Sequence, residues 1–275
     1  VLIKIFTYLL ILFSSILYSQ SFEEQFRTAE KLFDEEKYFE SITELKRLLY
    51  FDKDHQYFYR AYFRIAKAYK MGGKFSEAIK YFTLAEINTL NDEEIFQAKI
   101  ENIKINILRR TTTYALTLLS ELEKDTRFQN KMNEINYWRG WAYIFSDEWD
   151  IAANEFEKAG NQELKILTAE VHERKYSVTT AKILSYIIPG AGQFYTENYL
   201  SGVLSLGWNI LFGYLTINSF IEERVVDGLI VGNLLWLRFY RGNIQNAERF
   251  AVEKNNKISN EALYFLQHSY KGEKP

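Results

Sequence analysis

The sequence predicts an all-α chain: four helical hairpins stacked as an α-solenoid, followed by an α-helical membrane hairpin. Three observations carry that reading. Small and large apolar residues recur with a 37-residue period over residues 21–160. A run of 24 residues, 198–221, has no formal charge. Eight of the thirteen glycines fall between residues 190 and 242, so the composition changes once the period has ended.

With 47% hydrophobic and 17% aromatic residues, the 275-residue chain can bury cores along most of its length. A net charge of -2 argues against a general nucleic-acid binder, which needs an excess of Lys and Arg to neutralise phosphates. The absence of cysteine excludes disulfides, thiolate metal sites and a Cys nucleophile together.

Residues 1–20 read as a secretory signal peptide, with Lys4, an apolar stretch over 5–13 and small residues near Ser19. Cleavage next to Ser19 and retention of residues 5–18 as an anchor are the two alternatives. The repeat domain follows over residues 21–170. Ser41, Ala78, Ala115 and Ala152 are spaced by 37, and four positions later stand Leu45, Phe82, Leu119 and Phe156. Three further on are Leu48, Ala85, Leu122 and Ala159. Twelve positions before the first set are Ala29, Ala66, Ile103 and Gly140, and three before it are Tyr38, Phe75, Thr112 and Trp149. Small residues let two helices approach closely while large ones fill the space between neighbouring pairs, which defines a helix-turn-helix unit in four copies.

Ala66, Tyr69, Gly73, Phe75, Ala78, Phe82 and Ala85 spell A-x2-Y-x3-G-x-F-x2-A-x3-F-x2-A, a pattern that closely resembles the tetratricopeptide repeat (TPR). The fourth copy, with Gly140, Tyr143, Asp147, Trp149, Ala152, Phe156 and Ala159, matches nearly as well. Copy one has Leu32 and Glu36 at the Tyr and Gly places, and copy three is degenerate, with Asn106, Arg110 and Thr112. The family repeat is usually about 34 residues long, so the extra length belongs to the connections. The resemblance implies binding of a peptide or protein along the groove lined by the first helix of each hairpin. There Arg60, Arg64 and Lys67 form one helical stripe, Lys104 stands where Lys67 stands one repeat earlier, and Trp138 and Trp141 lie on or beside the same surface. Such a groove can hold an acidic segment or carboxylate through charge-assisted hydrogen bonds. The plainer alternative is a solvated helix face over core tryptophans.

Residues 171–258 read as a membrane domain and 259–275 as a tail. The uncharged run gives a first transmembrane helix at about residues 199–221. A second, at about 225–241, has an uncharged centre and places Asp227 and Arg238 near an interface. Gly228 and Gly232 form a G-x-x-x-G step, and Gly202, Ser205 and Gly207 put small residues on the preceding helix, as close packing in lipid favours. Asn209, Asn218 and Asn233 are candidates for hydrogen bonds across the hairpin. Upstream, a helix capped around Thr179 or Thr180 must stop at Pro189, Gly190 and Gly192 permit a turn, and Gln193 and Tyr195 suit freed backbone groups or lipid headgroups. This is a membrane-turn site of Pro189, Gly190, Gly192, Gln193, Tyr195 and Gly202.

The heptapeptide PGAGQFY, then Gly202, two apolar helices, and Gly242, Asn243, Ile244, Ala247, Ala251 and Asn255 together resemble a small bacterial membrane domain of the Pro-Gly-x-Gly-Gln-x-Tyr type. That resemblance implies a place behind helical repeats in envelope proteins, and no reaction. Glu197 stands where that family usually has glycine. Topology has two opposed signals. A cleaved signal peptide places the repeats in the periplasm, whereas Arg238, Arg241, Arg249, Lys254 and Lys257 after the last span favour the cytoplasmic side there.

His55, His172 and His268 show no ligand spacing, and no zinc helix, P-loop, nucleophile elbow or dinucleotide fingerprint is present. The sequence therefore calls for no cofactor, no metal and no enzymatic activity. It predicts an envelope scaffold anchored in lipid that recruits a protein or peptide partner. The competing class is a membrane-embedded assembly or transport component in which the hairpin is the effector.

Overall fold

The computed structural model describes residues 21–275, and the signal-peptide reading of residues 1–20 lies outside them. The described residues form helices joined by short turns, and they divide into two units. One ends at Gln162, and the other runs from Glu163 to Lys274.

The first unit contains α1 (Phe22–Asp34), α2 (Tyr38–Phe51), α3 (Phe58–Met71), α4 (Phe75–Ile87), α5 (Asp92–Leu108), α6 (Thr112–Lys124), a 3-10 segment (Thr126–Lys131), α7 (Met132–Phe145) and α8 (Trp149–Lys158). Each helix packs on the next, and α5 also touches α3 and α7, so the first helices of successive hairpins lie side by side. The periodic residues form the core. Ala29, Ala66, Ile103, Ser41, Ala78, Ala115 and Ala152 are fully buried, as are Leu45, Phe82, Leu119 and Phe156. A Cβ added at Gly140 would lie 2.7 Å from Cζ of Phe156, so α7 and α8 approach as closely as a glycine allows. At the matching place in the first hairpin the Ser41 hydroxyl donates to the Ala29 carbonyl at 2.8 Å, which pairs this buried hydroxyl.

The four hairpin turns are chemically the same. Glu36, Gly73, Arg110 and Asp147 all adopt left-handed backbone conformation, with φ of 60°, 69°, 58° and 69°. After each comes an amide that bonds back across the turn: Lys37 to the Leu32 carbonyl, Lys74 to Tyr69, Thr111 to Asn106 and Glu148 to Tyr143, at 2.8–2.9 Å. This is the Schellman closure of a helix, and it satisfies carbonyls that the helix end would orphan. Sequence marks only Gly73 as suited to it. The other three residues accept the left-handed strain because the helices on either side fix the turn.

The second unit contains α9 (Gln162–Arg174), α10 (Val178–Ile187), the one-turn α11 (Ala191–Tyr195), α12 (Tyr199–Ile221), α13 (Val225–Ile230), a π-helical stretch (Val231–Trp236) and α14 (Leu237–His268). Ser177, rather than Thr179 or Thr180, caps α10, its hydroxyl accepting from the Thr180 amide at 3.1 Å. Helical backbone continues from α13 through the π stretch into α14, so the apolar segment near residues 225–241 is the start of a longer helix. No proline interrupts it, and Gly242 sits within it without a break.

A Gly140→Val substitution should lower stability by about 1–3 kcal/mol through overpacking against Phe156. Denaturant unfolding followed by far-UV circular dichroism measures this, and an unchanged midpoint would show that α7 and α8 have room to separate.

Candidate functional site

In the first unit the first helices carry the basic stripe, and the structure gives its members different roles. Arg60 lays its guanidinium 4.1 Å from the Phe26 ring centre and pairs with Glu23 at 3.4 Å. Arg64 pairs with Glu30 and stacks 4.7 Å from the Phe33 ring. Both arginines thus tie α3 to α1, with partly exposed edges. Lys104 is buried on α5, bonded to Glu101 at 2.9 Å and seated 4.3 Å over the Trp138 ring. Glu101 also takes Lys70 at 3.0 Å. Trp138 and Trp141 are buried beneath the surface. Trp141 packs among Phe145 and Phe156.

Lys67 is half-buried near this cluster, 5.1 Å from the Phe63 ring, and makes no ion pair among the described residues. Burial pushes its ammonium pKa down, with Glu101 opposing and Arg64, Lys104 and Lys70 reinforcing the shift. Glu101 thus bridges Lys70 and Lys104, and Lys67 stands beside this cluster. The Trp138 indole N–H, buried next to them, has no hydrogen-bond partner among the described residues. An unpaired lysine and an orphan donor in one locality suit an acceptor-rich anionic group. Arg64, Lys67, Lys104 and Trp138 are brought together here, whereas Arg60 and Trp141 are engaged elsewhere. Lys70 and Glu101 were missed by sequence reasoning. The three-residue spacing of Glu101 and Lys104 on one helix was a signal for the second, but nothing local marks Lys70, whose partner lies 31 positions on.

The membrane-turn residues of the second unit converge on α14. Gly190 is left-handed, with φ of 96°, and a Cβ there would collide with the Gly202 carbonyl. A Cβ on Gly192 would clash with the Ala181 carbonyl and the Ser185 hydroxyl and lie 2.7 Å from Cβ of Ala247. Between these contacts lies a buried polar knot. Asn243 Oδ1 accepts from the Gly190 amide at 2.7 Å and from Gln193 Nε2 at 3.0 Å, while its Nδ2 donates to the Ser185 carbonyl at 2.9 Å. Gln193 Oε1 accepts from the Ser185 hydroxyl at 3.2 Å, and that hydroxyl oxygen accepts from the Gly192 amide at 3.1 Å. Asn255 brackets Tyr176 through its amide and carbonyl at 2.8 and 2.9 Å, and the Tyr195 hydroxyl accepts from the Ser177 amide at 3.0 Å.

Gln193 is fully buried and Asn243 almost so, and their polar atoms are spent inside the protein. The knot holds the Pro189 turn. Glu197, left-handed at φ 59°, closes the next turn and pairs with Lys254 at 2.8 Å. Its carboxyl is held below the ordinary value by hydrogen bonds from Lys254 and Tyr176 and by the Lys254 charge.

Beyond the knot α12 and the following helix run antiparallel. Phe212 stacks on Phe239 at 5.0 Å. Cβ positions at Gly213, Gly232 and Gly228 would meet Trp236, Thr216 and Phe220 at 3.4, 3.0 and 3.0 Å. The G-x-x-x-G glycines thus face α12, while Gly207 faces open space. Asn209, Asn218 and Asn233 do not bond across the hairpin. Asn209 and Asn233 donate to carbonyls four residues back, and Asn218 to Glu222. Short polar side chains reach their own helix more readily than a neighbour. Among the described residues one helix, Tyr199–Ile221, is long and apolar enough to cross a membrane, and only 22% of its apolar window is buried, whereas a soluble core helix would be mostly buried.

Among the described residues no three His, Asp or Glu side chains converge to hold a metal ion. In comparisons with known proteins, no family model matches the chain and no curated protein matches it.

Asn243→Ala should cost about 2–4 kcal/mol, because it leaves the Gly190 amide and the Ser185 carbonyl unpartnered in a buried site. Thermal unfolding of the full chain in detergent tests this, and a loss below the size of one hydrogen bond would mean water replaces the amide. A second outcome concerns pH. Burial alone would raise the Glu101 carboxyl pKa, but the Lys70 and Lys104 charges and hydrogen bonds outweigh it and hold it below 4.5. With the folded value depressed, the unfolded state binds more protons near pH 4.5, so this stabilisation is present above that pH and is lost as pH falls through the folded value. Glu101→Gln should flatten the acid limb of the stability profile in that window, read by denaturant midpoints at stepped pH.

Proposed function

We propose that this chain is a membrane-anchored interaction scaffold of the bacterial envelope, in which TPR-like hairpins recruit a protein or peptide partner and the α12 hairpin holds them at a lipid bilayer. The observation that carries it is the apolar exterior of α12. Leu200, Val203, Ile210, Ile217 and Ile221 are exposed along its length, and Val226, Leu229 and Leu234 continue the exposed apolar surface on the antiparallel helix. A continuous apolar surface of that extent has no favourable solvation in water, and the charged turn of Glu222, Glu223 and Arg224 at the hairpin tip fits a span that ends at a headgroup region. The second helix completes the hairpin in this reading, with Arg238 and Arg241 at the opposite interface.

The partner is an acidic segment or carboxylate, docked on the first helices beside Lys67. Support comes from half-buried Lys67, which makes no ion pair among the described residues, and from the unpartnered Trp138 indole N–H under Lys104. Arg64 contributes its exposed edge, and the buried tryptophans hold the helix positions from below. In this reading the repeat unit faces the periplasm and the scaffold is non-catalytic.

Alkaline carbonate extraction of native membranes should leave the full chain in the pellet, and removal of residues 199–241 should release the repeats. Release of the full chain would remove the anchor reading. In crosslinking from native membranes Lys67→Glu should reduce partner recovery about tenfold or more while helical circular dichroism is unchanged. Undiminished recovery would reject the groove.

A further inference from the structure

A cavity of about 150 Å³ lies between α4, α5 and α6. It is on the opposite side of α5 from Lys104, because Asn102 and Asn106 lie two positions either side of Lys104 and so about 160° around a helix. The repeat pattern explains why it exists. One repeat earlier the equivalent positions are Tyr62, Ile65, Tyr69 and Tyr81, and they fill this space. Tyr62 and Tyr69 lie 6.1 and 5.4 Å from the Tyr81 ring, and Ile65 is fully buried. In the third repeat the same places hold Lys99, Asn102, Asn106 and Leu118, so aromatic filling is replaced by polar side chains around a void.

The polar groups are not all satisfied internally. Asn102 is more than nine-tenths buried and lines the cavity. The Thr83 hydroxyl donates to the Ile79 carbonyl, so it can only accept from Asn102 Nδ2, at 3.4 Å. That orientation leaves Asn102 Oδ1 buried with no donor among the described residues. An unpaired buried acceptor costs about 1–3 kcal/mol unless something donates to it. Asn106 is already occupied, donating to the Asn102 carbonyl at 2.9 Å and accepting from Thr111 at 2.8 Å. The charges around the space are Glu86, Glu121 and Lys99; Lys99 is paired with Glu86 at 2.9 Å, and Glu121 stands on the exposed rim without an ion pair among the described residues. The unmet requirement is therefore a donor, and the unbalanced charge is negative.

We infer that this cavity is a binding site for a small cationic hydrogen-bond donor, a guanidinium or primary ammonium group, with Asn102 Oδ1 accepting from it inside and Glu121 balancing its charge at the mouth. It is separate from the basic surface of the proposed partner groove and has the opposite electrostatic preference. The volume is well above what one water needs, and it suits a short alkyl cation or the end of an arginine or lysine side chain.

The test is calorimetric titration of the full chain in detergent micelles with ethylguanidinium chloride at constant total chloride. Expected is saturable binding at one site, weakened at least tenfold in Asn102→Ile, which restores the residue type of the preceding repeat, and tightened at least threefold in Asn102→Asp. If Asn102→Ile fails to fold, Glu121→Gln gives the readout, with at least a threefold loss expected from this exposed position. No saturable binding, or binding indifferent to the folded variants, overturns the inference and leaves a water-filled void. A photo-crosslinker at Tyr114, on the cavity rim, separates the two sources of the cation. A crosslinked protein displaced by ethylguanidinium assigns it to a partner's side chain, and calorimetric binding without a crosslink assigns it to a free small cation.

Discussion

Close approach between helices is the constraint on which both units depend. In the first unit a small residue in each hairpin lets the second helix lie against the first, as Gly140 does beneath the Phe156 ring. In the second unit Gly192 lets α11 rest between Ala181 and Ala247, and Gly190 lies against the Gly202 backbone. Helices this close bury little surface per contact at the point of nearest approach. They let the larger neighbours, Phe82 and Phe156 in one unit and Phe212 and Phe239 in the other, interlock around that point. The left-handed turns follow from the same requirement, since helices held near each other must reverse within a few residues.

The third hairpin shows what happens when the filling rule is relaxed while the approach rule is kept. Ile103, Ala115 and Leu119 still bury completely, so α5 and α6 retain their hairpin. Asn106 stands where the second and fourth copies have Tyr69 and Tyr143, and it lines the resulting cavity with Asn102 and Lys99. A protein under selection for stability alone would refill such a void, because lost packing and an orphan acceptor both cost free energy.

In the second unit the ruling consideration is satisfaction of polar groups. Pro189 ends α10 and frees backbone groups, and Asn243, Gln193 and Ser185 take them up in a closed set. A turn next to an apolar hairpin has little water to turn to, so side chains must supply those partners. The two sequence clusters around residues 189–195 and 242–255 are therefore halves of one joint. The Gln and Tyr of the turn serve that joint: Gln193 is inside it, and Tyr195 fastens the start of α10.

Much of this was legible in the sequence. The 37-residue period located the hairpins and their small contact residues, because those features are local and repeat at a fixed spacing. Composition located Tyr199–Ile221, because length and apolarity suffice to mark a helix suited to a bilayer. Tertiary structure decided what local pattern cannot carry. It paired Asn243 with Ser185 across 58 positions and Asn255 with Tyr176 across 79. It also sank Trp138 beneath Lys104, engaged Arg60 and Arg64 with α1, kept the asparagines of the hairpin on their own helices, and opened a void beside Asn102. Each outcome depends on which distant side chains reach the same few ångströms, and on whether burial leaves a polar atom with a partner. Periodicity in one helix specifies a face, and only the neighbouring helix determines what that face meets.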